Sequence, residues 1–191
     1  IDWPTKGTEE AKAGTYALFR LALLSSAKLC ELTGESELQN RCLEVAELLS
    51  QKELPHNNRK QIVALMKLAG MLDSETAGAV LTKDGGKGMS TFMSYYILSA
   101  VIDTVGIDPA LEMMEEYYGA MLDAGATTFW EDFDLDWVRE GARIDELPGQ
   151  DGYDIHGDNG RFCYQGMRHS LCHGWSAGPA AILPERLLGI Q

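Results

Sequence analysis

The chain has 191 residues, of which 45% are hydrophobic and 24% are charged, and its formal net charge is -13. These proportions are ordinary for a soluble globular protein and allow a core of useful size. The acidic balance argues against nucleic acid and anionic membranes as partners, because both carry negative charge. No apolar run is long enough to span a bilayer. Because the chain starts at Ile1 and has no signal peptide, we expect a single domain excised from a longer protein.

Helical periodicity with turn signals runs through the first part of the chain. Apolar spacing predicts a helix over residues 9–33, and Gly34 is a natural stop for it. A capping-box pattern, Ser36-Glu37-Leu38-Gln39, opens a second predicted helix that extends to about residue 52. A third is predicted over 58–69, and Asp73 is a good N-cap for a short fourth.

The same signals continue beyond the glycine-rich segment 83–88, which lacks the phosphate-binding pattern and is predicted to be a plain turn. A helix is predicted over 90–105. Another follows over 108–123, with Asp108 as N-cap and Pro109 at the first helical position. A last helix over 175–188 is interrupted by prolines. The bottom-up fold class is therefore all-α, built from helical hairpins.

Two tracts stand apart from this pattern. Residues 125–131 read Gly-Ala-Thr-Thr-Phe-Trp-Glu, and residues 170–179 read Ser-Leu-Cys-His-Gly-Trp-Ser-Ala-Gly-Pro. Each puts a titratable group beside a tryptophan among small residues, which let a ligand come close to the backbone. Sugars stack on aromatic rings and glycosidic bonds are broken by pairs of carboxyl groups, so the combination suits a carbohydrate site. The Gly- and Asp-rich stretch 132–166 between them is predicted to be a long active-site loop.

The two tracts resemble the α-L-rhamnosidase family of glycoside hydrolases. The family pattern Gly-Ala-Thr-Thr-x-Trp-Glu matches residues 125–131 at every fixed position, and its Ser-x-x-His segment matches residues 170–173. Asp2-Trp3-Pro4 fits a further segment of the same catalytic domain. The resemblance implies an (α/α)6 barrel, of which this chain would be the C-terminal half. It also implies inverting hydrolysis of terminal α-L-rhamnosyl or related linkages, without a metal or cofactor.

The resemblance also implies roles for individual residues. Glu131 would be the general base, while Trp130, His173 and Trp175 would bind the sugar. The general acid would come from an acidic motif upstream of Asp2-Trp3-Pro4, before Ile1. We therefore expect the isolated chain to be inactive and to self-associate through an exposed inner face. For the full-length parent, the family suggests a periplasmic or extracellular location.

Each of these residues also has a structural interpretation. Thr128 to Glu131 matches a capping box, so Glu131 could cap a helix. His173 could be a hydrogen-bonded structural residue, and Trp130 and Trp175 could be ordinary core residues. Most of the acidic residues that follow Glu131 are expected at a solvated edge, namely Asp132, Asp134 and Asp136. The paired tyrosines of the predicted helices are expected in the core or barrel lining, namely Tyr95, Tyr96, Tyr117 and Tyr118.

Metal binding has little support from the cysteines and histidines. Cys163, His169, Cys172 and His173 match no zinc-ligand spacing, and Cys30 and Cys42 fit helical core positions. Weaker candidates for the active-site loop are His156, Asp158 and Arg161. Two other functions stay open: another (α/α)6 glycosidase, and a non-catalytic helical domain for carbohydrate binding or assembly.

Overall fold

A computed structural model describes residues 7–138, 143–145, 159–160, 164–165 and 170–190. Within these ranges the chain forms seven α-helices, and all except the second contribute residues to a common hydrophobic core. The accompanying β-structure is a two-residue antiparallel pair, β1 (Asn159–Gly160) with β2 (Tyr164–Gln165). The predicted all-α class is confirmed.

The helices follow the predicted order along the chain. They are α1 (Glu9–Thr33), α2 (Ser36–Ser50), α3 (Lys60–Leu68), α4 (Ser74–Leu81), α5 (Ser94–Val105), α6 (Ile107–Asp123) and α7 (Gly178–Ile182). The 3-10 turn Leu135–Trp137 follows the first sequence tract, and the 3-10 turn Gly174–Ser176 lies within the second. A π-helical turn, Leu183–Leu187, follows α7. In the described part of the chain, no helix combines the length and apolar character needed to cross a bilayer.

Helix α1 is bounded as its local sequence predicts. The Thr8 side chain accepts a hydrogen bond from the Ala11 N–H at 3.3 Å and so caps the first turn. Gly34, at φ 78°, adopts the left-handed conformation and donates its N–H to the carbonyls of Cys30 and Glu31. Helix α1 packs against α2, and several of its small residues, among them Ala17 and Ala27, are buried.

Several predicted helix starts are wrong in detail. The residue at the N-cap of α2 is Glu35, whose side chain makes no capping bond, so the box beginning at Ser36 does not form. Helix α6 begins one residue before Asp108, after Gly106 at φ 105°, which places Asp108 and Pro109 inside its first turn. Helix α5 begins at Ser94 rather than at residue 90, and turns occupy the positions just before it.

The C-terminal segment 175–188, predicted as a helix interrupted by prolines, is indeed not one continuous helix. It is divided into the 3-10 turn, α7 and the π-helical turn. Pro179 and Pro184 lack the N–H groups that a continuous helix would use. Ile182 of α7 is fully buried in the core, which anchors this segment to the rest of the helices.

The glycine-rich segment 83–88 is a turn, as predicted, and it is held by side chains from two helices. Lys60 of α3 donates its Nζ to the Gly85 carbonyl, and the Gly86 N–H donates to Glu116 Oε2 of α6 at 2.6 Å. Burial lowers the pKa of Lys60 to about 8, although Asp84 and Glu116 nearby partly offset this effect. Lys60 and Glu116 bond to the backbone of this turn, so both have a structural role.

Candidate functional site

The two tracts lie side by side and run antiparallel. The Glu131 N–H donates to the Ser170 carbonyl at 2.8 Å, and the His173 N–H donates to the Phe129 carbonyl, also at 2.8 Å. Thr128 Oγ1 donates to the Leu171 carbonyl. The structure therefore brings together the two segments that the sequence singled out.

The Glu131 side chain lies at the junction of the tracts. Its Oε2 accepts a hydrogen bond from the Ser170 N–H at 2.9 Å, and its Oε1 lies 4.0 Å from His173 Nε2. Only 8% of the residue is exposed. No helix begins at Thr128, so the capping-box interpretation of Glu131 is wrong. The carboxylate instead links one tract to the other.

The main chain of Glu131 is fixed by two side chains. Its carbonyl accepts hydrogen bonds from Thr91 Oγ1 at 2.6 Å and from Trp175 Nε1 at 2.8 Å. A carbonyl oxygen has two lone pairs, so both donors can be satisfied at once. Thr91 precedes α5 and Trp175 belongs to the second tract, so two separate parts of the chain meet at this atom.

His173 has one ring nitrogen in a structural bond and the other facing Glu131. Its Nδ1 accepts a hydrogen bond from the Trp175 N–H at 3.3 Å, which caps the 3-10 turn Gly174–Ser176. In the neutral ring this acceptor role leaves the proton on Nε2. The His173 side chain is 36% exposed, so part of the ring is open to solvent, and its Nε2 faces Glu131.

The two tryptophans have different environments. Trp175 is partly exposed, and its indole ring lies 5.3 Å from the ring of Phe92 and 4.5 Å from that of His173. Trp130 is 0% exposed and packs edge-on against Phe133 within the core. A fully buried ring has no face for a sugar, so core packing is the interpretation that the structure supports for Trp130, and its predicted stacking role does not fit. Stacking is compatible with the position of Trp175.

A set of buried hydroxyl groups near the tracts was missed as a functional feature by sequence reasoning. Tyr118 OH of α6 donates to the Ser176 carbonyl at 2.9 Å and lies 2.7 Å from Ser94 Oγ. Burial raises the pKa of Tyr118 to about 12, so this hydroxyl stays protonated at neutral pH. Ser176 Oγ in turn bonds the His173 carbonyl at 2.8 Å. The core position predicted for Tyr118 is confirmed, but the position of Tyr118 in the sequence does not indicate its hydrogen bond to Ser176.

The acidic residues after Glu131 have structural partners. Asp134 Oδ1 accepts the Asp136 N–H at 2.9 Å and caps the 3-10 turn that follows. Asp136 forms an ion pair with Lys87 at 2.7 Å, and both side chains are about half exposed. These contacts agree with the predicted acidic edge.

Several predicted candidates lie outside the described residues. They are Asp2, Trp3, Pro4, His156, Asp158, Arg161, Cys163 and His169, together with most of the segment 132–166. Among the residues that are described, no group of three or more histidine, cysteine or acidic side chains is placed to hold a metal ion. Cys30 and Cys42 are buried, as their helical positions predict.

No protein-family model matches the chain, and a search of curated proteins finds no match either. Function is therefore inferred from the residues and their geometry.

Proposed function

We propose that this chain carries the general base of an inverting glycoside hydrolase that cleaves terminal α-L-rhamnosyl or related linkages. The observation that supports the proposal is the position of the Glu131 carboxylate. It lies between the two tracts, with Oε2 held by the Ser170 N–H and Oε1 facing His173. The all-α fold is compatible with the (α/α)6 barrel that the resemblance implies.

Glu131 has the features that a general base needs. A hydrogen bond to Oε2 fixes the carboxylate in one orientation. Oε1, which faces His173, would be the atom that takes a proton from the attacking water. Inversion requires a second carboxyl group about 6.5–9.5 Å away on the other side of the sugar. In this proposal that acid comes from the motif upstream of Asp2-Trp3-Pro4, since Asp134 and Asp136 have structural roles.

His173 and Trp175 would form the sugar-binding wall beside this carboxylate. The His173 Nε2 would donate to a sugar hydroxyl. The indole N–H of Trp175 is already bonded to the Glu131 carbonyl, so Trp175 would contribute its ring face rather than its polar atom. Both residues contact Glu131, so in this proposal the binding groups would lie beside the reacting atoms.

A non-catalytic helical carbohydrate-binding domain is the second candidate. The observation in its favour is that Glu131 is 8% exposed and already holds a main-chain N–H, as a purely structural glutamate would. Another (α/α)6 glycosidase, acting on glucuronyl or trehalose-like substrates, would use the same base with a different sugar.

Hydrolysis by the full-length protein separates these possibilities. A panel of nitrophenyl α-L-rhamnoside, nitrophenyl β-D-glucuronide and trehalose would be assayed, and the anomer released would be followed by NMR. We expect cleavage of the rhamnoside with inversion at the anomeric carbon. Inverting cleavage of another substrate alone would replace the proposed sugar. Retention would contradict the role of Glu131, and glycan binding without hydrolysis would support the binding domain.

We also propose that the isolated chain self-associates. Large apolar side chains are exposed along α1, among them Leu29 at 62% and Leu32 at 78%. Patches of this kind drive association in water. Light scattering at micromolar concentration should show dimers or larger species, and a strictly monomeric chain would contradict the proposal.

A further inference from the structure

We propose that Thr91 is a positioning residue for Glu131. Its hydroxyl holds the Glu131 main chain so that the carboxylate keeps its place between Ser170 and His173. This inference rests on the proposed function for its catalytic consequence, but the positioning itself can be measured without any substrate.

The first support is the geometry at the Glu131 carbonyl. Thr91 is 2% exposed, and its Oγ1 donates to this carbonyl at 2.6 Å, across 40 residues of sequence. The second donor, Trp175 Nε1, belongs to the tract that carries His173. Thr91 is thus the donor that joins the Glu131 carbonyl to helices α1 to α6, here called the helical frame, rather than to the other tract.

The second support is that Thr91 contacts Ser94, which in turn contacts the residue that bonds the second tract. Ser94 Oγ lies 2.8 Å from the Thr91 carbonyl and 2.7 Å from Tyr118 OH, and its single proton can bond either oxygen. Tyr118 OH donates to the carbonyl of Ser176 in the second tract at 2.9 Å. Thr91, which bonds Glu131 in the first tract, and Tyr118, which bonds Ser176 in the second, therefore both contact the fully buried side chain of Ser94. Through these contacts, Ser94 of α5 and Tyr118 of α6 would set the distance between Glu131 and His173.

The consequence follows from the precision that catalysis needs. Reacting groups are held to within about 0.5 Å of productive geometry, and a 1 Å displacement can cost about a hundredfold in rate. Loss of the Thr91 hydroxyl leaves the Trp175 bond in place, so we expect a partial displacement. The expected effect is a decrease in kcat of about tenfold, with KM changed by less than about threefold.

The test uses Thr91→Val, which keeps the side-chain shape and removes the hydroxyl, and Thr91→Ser, which keeps the hydroxyl. The matched control is Thr104→Val, because Thr104 also donates to a backbone carbonyl, that of Ala100 within α5, and lies away from the tracts. All three are made in the full-length protein. The measurements are kcat, KM, Tm and the solvent exchange of the Ser170 amide by NMR. Thr91→Ala would replace the valine variant if valine failed to fold.

We expect Thr91→Val to lower kcat and to speed solvent exchange of the Ser170 amide, whose N–H donates to Glu131 Oε2, while Thr91→Ser and Thr104→Val resemble the wild type in both. A merely structural role would lower Tm in Thr91→Val without changing kcat or the exchange of this amide, and that result would overturn the inference. If the wild type hydrolyses no glycoside, the proposed function fails. The exchange of the Ser170 amide still decides whether Thr91 holds the Glu131 carboxylate in place.

Discussion

The α1–α2 hairpin and the paired tracts are stabilised in different ways. In the hairpin, each helix is built from bonds between near neighbours, and the turn between them is made by Gly34. In the tracts, by contrast, the bonds that define the structure join residues far apart in sequence. Ser170 to Glu131 spans 39 positions, and Trp175 to Glu131 spans 44. The helical frame therefore depends on local sequence, whereas the site depends on long-range bonds that converge on Glu131.

The largest effect is expected from Glu131→Gln in the full-length protein. Glutamine keeps an oxygen for the Ser170 N–H, so the fold should be preserved, but it cannot accept the proton of water. Loss of a general base costs about a hundredfold or more in kcat. Asp136→Asn is the matched control, because Asp136 is exposed and paired with Lys87 at the surface. A decrease of less than about threefold in the glutamine variant would reject the base assignment.

Tyr118→Phe should break the connection between the frame and the second tract. It leaves the Ser176 carbonyl without the Tyr118 donor, and a buried group that loses its partner costs about 1–3 kcal/mol of unfolding free energy. Urea denaturation measures this loss. In Tyr95→Phe, where the tyrosine is 36% exposed, the change should stay within about 0.5 kcal/mol. Equal effects in the two variants would contradict the role of the Tyr118 hydroxyl.

Lys60 should make stability depend on pH. Its pKa is about 8 in the folded protein and 10.5 when unperturbed, so between these values the unfolded chain binds more protons. The free energy of unfolding therefore rises with pH over this window. Denaturation from pH 8 to 10 should show the rise, and Lys60→Met should reduce it. Burial raises the pKa values of Tyr118 and Cys30, so both act in the opposite direction near the upper end of this window, and the difference between wild type and Lys60→Met isolates the effect of Lys60.

The smallest effect compares two helix starts. Asp73 accepts the Thr76 N–H at 2.8 Å, so Asp73→Ala should cost α4 about 1 kcal/mol. Ser36 is inside α2 and does not cap it, so Ser36→Ala should change stability by less than about 0.5 kcal/mol. Thermal denaturation of both variants measures the difference, and a larger loss at Ser36 would restore the predicted capping box.

The sequence predicted those features whose causes are local. Periodicity, Thr8 and Gly34 are enough to bound α1, because its caps lie next to its ends. The box at Ser36 misled because Gly34 ends α1 so close to α2 that Glu35 takes the N-cap position. Local patterns also predicted helices α1 to α6, but not the turn just before α5, which makes that helix begin later than predicted.

The candidate site could be predicted only in part. The motifs located Glu131 and His173 and indicated that their tracts belong together. Thr91, Ser94 and Tyr118 look like ordinary helix-start or core residues in the sequence, since their partners lie in distant segments. Trp130 and Trp175 have similar neighbours in sequence, and only the packing of Trp130 in the core distinguishes them.

The most direct test of the paired site is the amide proton of Ser170, followed by NMR as the pH is lowered. Because this N–H donates to Glu131 Oε2, its chemical shift should follow the protonation of that carboxyl group, and the amide should be protected from solvent exchange. In Glu131→Gln the pH dependence should disappear while protection remains. An amide that exchanges as fast as an exposed loop, with a shift insensitive to Glu131, would show that the two tracts do not meet at this carboxylate.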